Sequence, residues 1–156
     1  MTPRLNPFAA APAAMQAWLD FGKGILHTGA RSGLEDSLME LVKIRASQIN
    51  GCAFCLHMHT ADARKHGETE ERLYLLDAWR ESPLYTERER AALDWTEALT
   101  LVSETRAPDE AYQALRAHFN EQEQVMLTLV IVAINGWNRI QVGFHAVHPV
   151  LERQAA

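Results

Sequence analysis

The sequence predicts an all-α fold of six or seven helices. Three observations carry that expectation. Apolar residues recur at helical steps in segment after segment, capping residues, prolines and glycines mark the ends of those segments, and no stretch alternates with the period of two that a half-buried strand requires. No internal repeat or glycine-rich phosphate loop breaks the pattern. With 156 residues, 47% of them apolar and 22% charged, a single domain over 1–156 can bury a core of its own.

In the first segment, 8–29, Met15, Trp18, Leu19, Phe21, Ile25 and Leu26 recur at helical steps, although Gly22 and Gly24 weaken the pattern. Arg31-Ser32-Gly33 reads as a connection. Residues 34–49 then set Leu34, Leu38, Leu41, Val42 and Ile49 on one side of a helix and Glu40, Ile44 and Ser47 in the opposite row. Periodicity alone leaves Glu40 on the solvated side. Asn50-Gly51 tolerates the left-handed conformation of a helix end, and 53–65, free of proline and glycine, forms the next helix before Gly67.

Thr69 caps a helix with Glu70 and Glu71 in its first turn, expected to run to 80 before Ser82-Pro83 breaks it. Thr86-Glu87-Arg88-Glu89 has the form of a capping box and opens a helix to about 102, in which Trp95 reads as a core residue. Pro108 at a first helical position, followed by Asp109 and Glu110, starts a short helix to 119. Asn120, with Glu123 three residues on, caps the last helix, 121–144. Its apolar residues between 125 and 134 cover every azimuth, and a helix apolar all round must be buried all round. A central helix, or one shielded by a neighbouring copy in a homo-oligomer, is expected. Pro149 should close the ordered part, leaving Gln154-Ala155-Ala156 as a loose end.

A formal charge of −5 and a pI near 5.8, with no basic stripe, argue against a nucleic-acid partner. The opening Met1-Thr2-Pro3-Arg4-Leu5-Asn6-Pro7 lacks the basic start and apolar run of a signal peptide, and the apolar segment 125–134 is about half a membrane span. The expected setting is cytoplasmic and away from membranes. There a closely spaced cysteine pair is more often catalytic or metal-binding than structural.

Both cysteines lie in Asn50-Gly51-Cys52-Ala53-Phe54-Cys55-Leu56-His57-Met58-His59. Cys52 should sit in or just before the first turn of its helix, where unsatisfied N–H groups and the helix dipole favour a thiolate. At about 100° per residue the side chains of Cys52, Cys55 and His59 fall within roughly 60° of one another, and Asp62, Ala63 and His66 continue the stripe. His57 projects roughly 140° from Cys52, on the side of Phe54 and Met58. Such a pair can cycle between dithiol and disulfide with His59 moving the proton. Two other readings stay open. In one the cysteines are small buried hydrophobes; in the other they are half of a zinc site, for which no second ligand pair at finger spacing is present.

The run Glu40-Leu41-Val42-Lys43-Ile44-Arg45-Ala46-Ser47-Gln48-Ile49-Asn50-Gly51-Cys52-Ala53-Phe54-Cys55, followed by His59, resembles the carboxymuconolactone decarboxylase-like superfamily, within it the alkylhydroperoxidase D branch. The likeness continues through Ala78-Trp79-Arg80-Glu81-Ser82-Pro83-Leu84, Trp95-Thr96-Glu97-Ala98-Leu99-Thr100 and Ile134-Asn135-Gly136-Trp137-Asn138-Arg139. The resemblance implies a helical bundle assembled as a trimer or hexamer. It also implies a thiol-dependent peroxidase with a catalytic motif over 40–59, working without metal, haem or flavin.

By the same resemblance Cys55 attacks the hydroperoxide, Cys52 resolves the sulfenic acid into a disulfide, and Glu40 with His59 relays protons. An external dithiol, thioredoxin-like or lipoyl-bearing, would restore the pair. Dipole reasoning alone selects Cys52 as the thiolate. The chain departs from the best characterised branch at Phe54, where that branch has a histidine, which implies a less polar cysteine environment and slower turnover. Within the superfamily the alternative is a lyase of the decarboxylase type, whose members generally lack the cysteine pair. Outside enzymes it is a redox-sensing or zinc-binding module.

Overall fold

The computed structural model describes residues 2–149, apart from the side chains of residues 26, 30 and 31; the end expected to be loose, 154–156, lies outside them. Among the described residues the chain forms nine α-helices and no strand: α1 (Pro7–Ala10), α2 (Pro12–Ser32), α3 (Asp36–Ile49), α4 (Ala53–Lys65), α5 (Glu70–Leu75), α6 (Glu87–Thr100), α7 (Val102–Thr105), α8 (Asp109–His118) and α9 (Glu121–Gly143). Two of the nine, α1 and α7, are four residues long. The other seven are the helices read from the sequence.

The boundaries differ where backbone chemistry intervenes. The segment expected to start at Phe8 is split at Ala11, because Pro12 opens α2 at a position where its missing N–H costs nothing. α2 then takes in Ser32, expected in the connection, and ends at Gly33 with φ +96. The helix expected from Thr69 to 80 is α5 followed by a 3₁₀ turn, Leu76–Ala78. α6 stops at Thr100 rather than 102 and Val102 begins α7. Both capping boxes form as read, Thr86 with Glu89 and Asn120 with Glu123.

The enclosed position belongs to α3 rather than to α9. α3 packs against α4, α6 and α9, so that Leu38 through Ile44, Ala46 and Ser47 are all buried. This corrects the solvated placement of Glu40, which is 6% exposed. Two apolar clusters hold α3 in place. One gathers Val42, Leu115, Leu127 and Ile131 between α3, α8 and α9; the other gathers Leu41, Ile44, Leu76 and Leu93 on the side of α5 and α6. Arg45 ties α3 to the 3₁₀ turn and to α6 through Asp77 and Glu97, and Arg88 ties α6 to Glu35 and Glu123.

In α9, Met126, Leu127, Val130, Ile131 and Ile134 face the core, whereas Val125 and Val132 are 60% and 48% exposed. By length and composition α9 meets the requirement of a membrane span, more than its ten-residue apolar run indicated. Here it packs on α2, α3 and α6, with Glu123, Asn135 and Asn138 buried and hydrogen-bonded within the protein.

Candidate functional site

The turn from α3 into α4 builds the site. Gly51 adopts φ +64, which folds the chain back so that the Cys52 N–H donates to the Ser47 carbonyl at 3.0 Å. Cys52 becomes the N-cap of α4, its sulfur accepting the Cys55 N–H at 3.4 Å. Both thiols are free, hydrogen-bonded to one another and only 1% exposed.

Charge is divided unequally between them. The hydrogen bond from the Cys55 thiol is the main influence holding Cys52 down, to about 6, against burial, with the N–H groups of Cys55 and Phe54 and the Asn138 amide assisting. Giving that hydrogen bond, together with burial, pushes Cys55 up. The first proton to leave the pair therefore leaves its charge on Cys52.

Access is divided the other way. A cavity of about 390 Å³ lies where α2 and α4 both pack against α9, and its wall includes Cys55 and His59 but not Cys52. Phe54 and Met58 line the same cavity. Helical arithmetic had set these two apart with His57, but the cavity spreads around the flank of α4 and takes them in. His57 itself is exposed and stacks on His148 at 4.9 Å between ring centroids.

Behind His59 stands a buried ionic group. His59, 8% exposed, donates from Nδ1 to Glu40 Oε2 at 3.0 Å, and Lys43 Nζ donates to Glu40 Oε1. Burial pushes the Glu40 carboxyl up, but the His59 hydrogen bond and the Lys43 ammonium outweigh it and hold it below the usual carboxylate range. With Nδ1 committed to Glu40, Nε2 is the ring nitrogen left to exchange a proton. The four residues singled out by sequence, Glu40, Cys52, Cys55 and His59, thus come together.

Asn138 and Lys43 belong to the same group and were assigned no part in it. Asn138, fully buried, donates to Ser47 Oγ at 3.0 Å, accepts from Asn50 Nδ2 at 2.9 Å and reaches both thiols with its amide. The available signal was an asparagine on the apolar helix α9, which needs buried partners. Lys43 lines the cavity beside His59. Among the described residues no group of three or more His, Cys, Asp or Glu side chains converges to hold a metal, so a zinc ion on the cysteine pair would need ligands from elsewhere.

Comparisons with known proteins identify the family. The carboxymuconolactone decarboxylase family matches residues 12–98, a span that holds Glu40, both cysteines and His59. The uncharacterized protein YdfG of Bacillus subtilis is 46% identical over 142 residues, 91% of this chain and 94% of its own length. A crystal structure of a protein of unknown function from Agrobacterium tumefaciens, provisionally described as an antioxidant defence protein AhpD, superposes with a TM-score of 0.91 at 47% identity, covering 96% of this chain and all of that one. Alkyl hydroperoxide reductase AhpD of Hyphomonas neptunium is 46% identical over 41 residues, 26% of this chain and 23% of its own. The chain therefore belongs to the carboxymuconolactone decarboxylase family, in its AhpD-like branch.

Proposed function

We propose that the protein is a thiol-dependent peroxidase that reduces hydroperoxides through the Cys52–Cys55 pair. The observation that carries this reading is the division of labour between the sulfurs: Cys55 is open to a cavity it shares with His59, and Cys52 lies behind it with the lower proton affinity.

As a hydroperoxide enters, Cys55 loses its proton to His59 Nε2, and its sulfur attacks the terminal oxygen. The O–O bond breaks, Cys55 becomes a sulfenic acid, and the leaving alkoxide takes the proton back from His59 as an alcohol. Glu40 holds the ring in place and balances its positive charge meanwhile. Cys52, already a thiolate, attacks the Cys55 sulfur; the S–O bond breaks, the disulfide forms, and the departing hydroxide takes a proton from solvent to become water. An external dithiol, thioredoxin-like or lipoyl-bearing, gives two electrons and two protons to regenerate the pair. Phe54 and Met58 beside Cys55 make its surroundings less polar, so turnover is modest.

The working form is a homo-oligomer, a trimer or a hexamer, with the exposed Val125 and Val132 of α9 in the contact. The test of the chemistry is a steady-state assay with several organic hydroperoxides and a small dithiol. Cys55→Ser should abolish turnover, and Cys52→Ser should leave one turnover that ends in a sulfenic acid open to trapping. Wild-type rates in Cys55→Ser would overturn the proposal. Turnover of a carboxymuconolactone that survives Cys55→Ser would replace it with a lyase.

A further inference from the structure

The cavity over Cys55 has a chemical bias of its own. Leu19, Ile25, Phe54, Met58, Ile134 and Trp137 supply apolar walls, and its basic lining residues are Lys23, Lys43 and His59, with no aspartate or glutamate. Lys43 is neutralised by Glu40 and His59 is held by the same carboxylate. Lys23 differs. It projects from α2, on a different wall from Cys55 and His59 of α4, is exposed, and makes no ion pair among the described residues. On a chain of formal charge −5, a concave apolar surface without carboxylates and with one uncompensated ammonium discriminates between ligands by sign. The volume of about 390 Å³ is near the lower end of small-molecule sites, roughly 300–1,000 Å³, which fits one chain or one ring rather than a two-chain lipid.

We propose that the cavity selects amphipathic monocarboxylates: its substrates are single-chain or single-ring organic acids bearing a hydroperoxide, with the carboxylate on Lys23 and the apolar body between α2, α4 and α9. This assignment of substrate class rests on the peroxidase reading, but the binding preference can be measured without turnover. The acid's carboxylate and hydroperoxide sit at opposite ends of the bound molecule, so the ion pair with Lys23 directs the O–O bond toward Cys55 and His59.

The experiment is equilibrium binding of decanoate and methyl decanoate to Cys55→Ser protein, followed by isothermal titration calorimetry. Decanoate should bind at least about fivefold more tightly than the ester, Lys23→Ala should erase that difference, and Lys23→Arg should keep it. Equal affinities, no binding, or an unchanged preference in Lys23→Ala would overturn the proposal. In a second arm, wild type is assayed with a fatty-acid hydroperoxide and its methyl ester, and the acid should show the higher kcat/KM through a lower KM. If decanoate binds by way of Lys23 and no hydroperoxide is turned over, the peroxidase reading fails while the anion preference stands. If hydroperoxides are turned over with acid and ester alike, the substrate class fails and the peroxidase reading stands.

Discussion

A thiol that caps a helix while taking a hydrogen bond from a second thiol is set to lose a proton early, and Cys52 does both. Thiolate absorbance should rise with a midpoint near 6. In Asn138→Ala, which removes an amide from both sulfurs and leaves Ser47 and Asn50 short of a partner, that midpoint should move up, at a cost of about 1–3 kcal/mol of stability. An unmoved midpoint would remove Asn138 from the thiol environment. Glu40 makes a second prediction. Its folded carboxyl is held below its unfolded value of 4.5, so the stability it contributes is complete above that value and drains away as pH falls beneath it. Denaturant melts should show Glu40→Gln losing less stability than wild type between pH 6 and 3, and less stable at pH 6 by about 3 kcal/mol because Lys43 is left buried without its partner. A pH dependence like that of wild type would contradict the pairing. The spacing of the cysteines and His59 made most of this site legible, since two turns of one helix fix those three. Glu40 needed the family resemblance, because periodicity sees one helix and not the neighbours that enclose it. Asn138 lies 91 residues from Ser47, and no local pattern links them.

At the scale of the helices, reading from caps succeeded where a cap is a side chain. Thr86 with Glu89 and Asn120 with Glu123 sit where the sequence placed them, whereas the split at Ala11 is marked by Pro12 and not by a side-chain cap, and the tightening at Leu76 depends on backbone geometry alone. The contact of α2 with α9 was equally hidden. A methyl group on Gly136 would lie 2.4 and 2.6 Å from two ring carbons of Trp18, a separation that a packed indole cannot relieve by a small movement. Gly136→Ala should therefore cost about 1–3 kcal/mol despite alanine's better helix propensity, and should disturb Trp137, which packs at 5.9 Å from Trp18 and lines the cavity. A thermal melt at or above wild type would show that α2 and α9 have room to separate. By contrast, Thr86→Ala removes only a cap, and about 1 kcal/mol is expected.

For the whole molecule, the all-round apolar character of α9 was visible in the sequence, but its division between core and surface was not. The core took Leu127, Val130 and Ile131, while Val125 and Val132 remain exposed on a chain of 17.6 kDa. Light scattering after size exclusion should return a multiple of that mass, and Val132→Glu should return a smaller multiple with helix content unchanged. A monomeric wild type would remove the oligomer from the proposal.

Oxidation also has a mechanical side. The Cys52 sulfur receives the Cys55 N–H as an anion, and a disulfide sulfur is a far poorer acceptor. On the peroxidase reading proposed above, joining the two sulfurs, each only 1% exposed, would uncap α4 just when its first turn has to meet the external dithiol. The opening turn would then fray outward and present the bond, visible as faster amide exchange at Phe54 to Leu56 in the oxidised protein, so that the product of one half-cycle loosens the latch for the next.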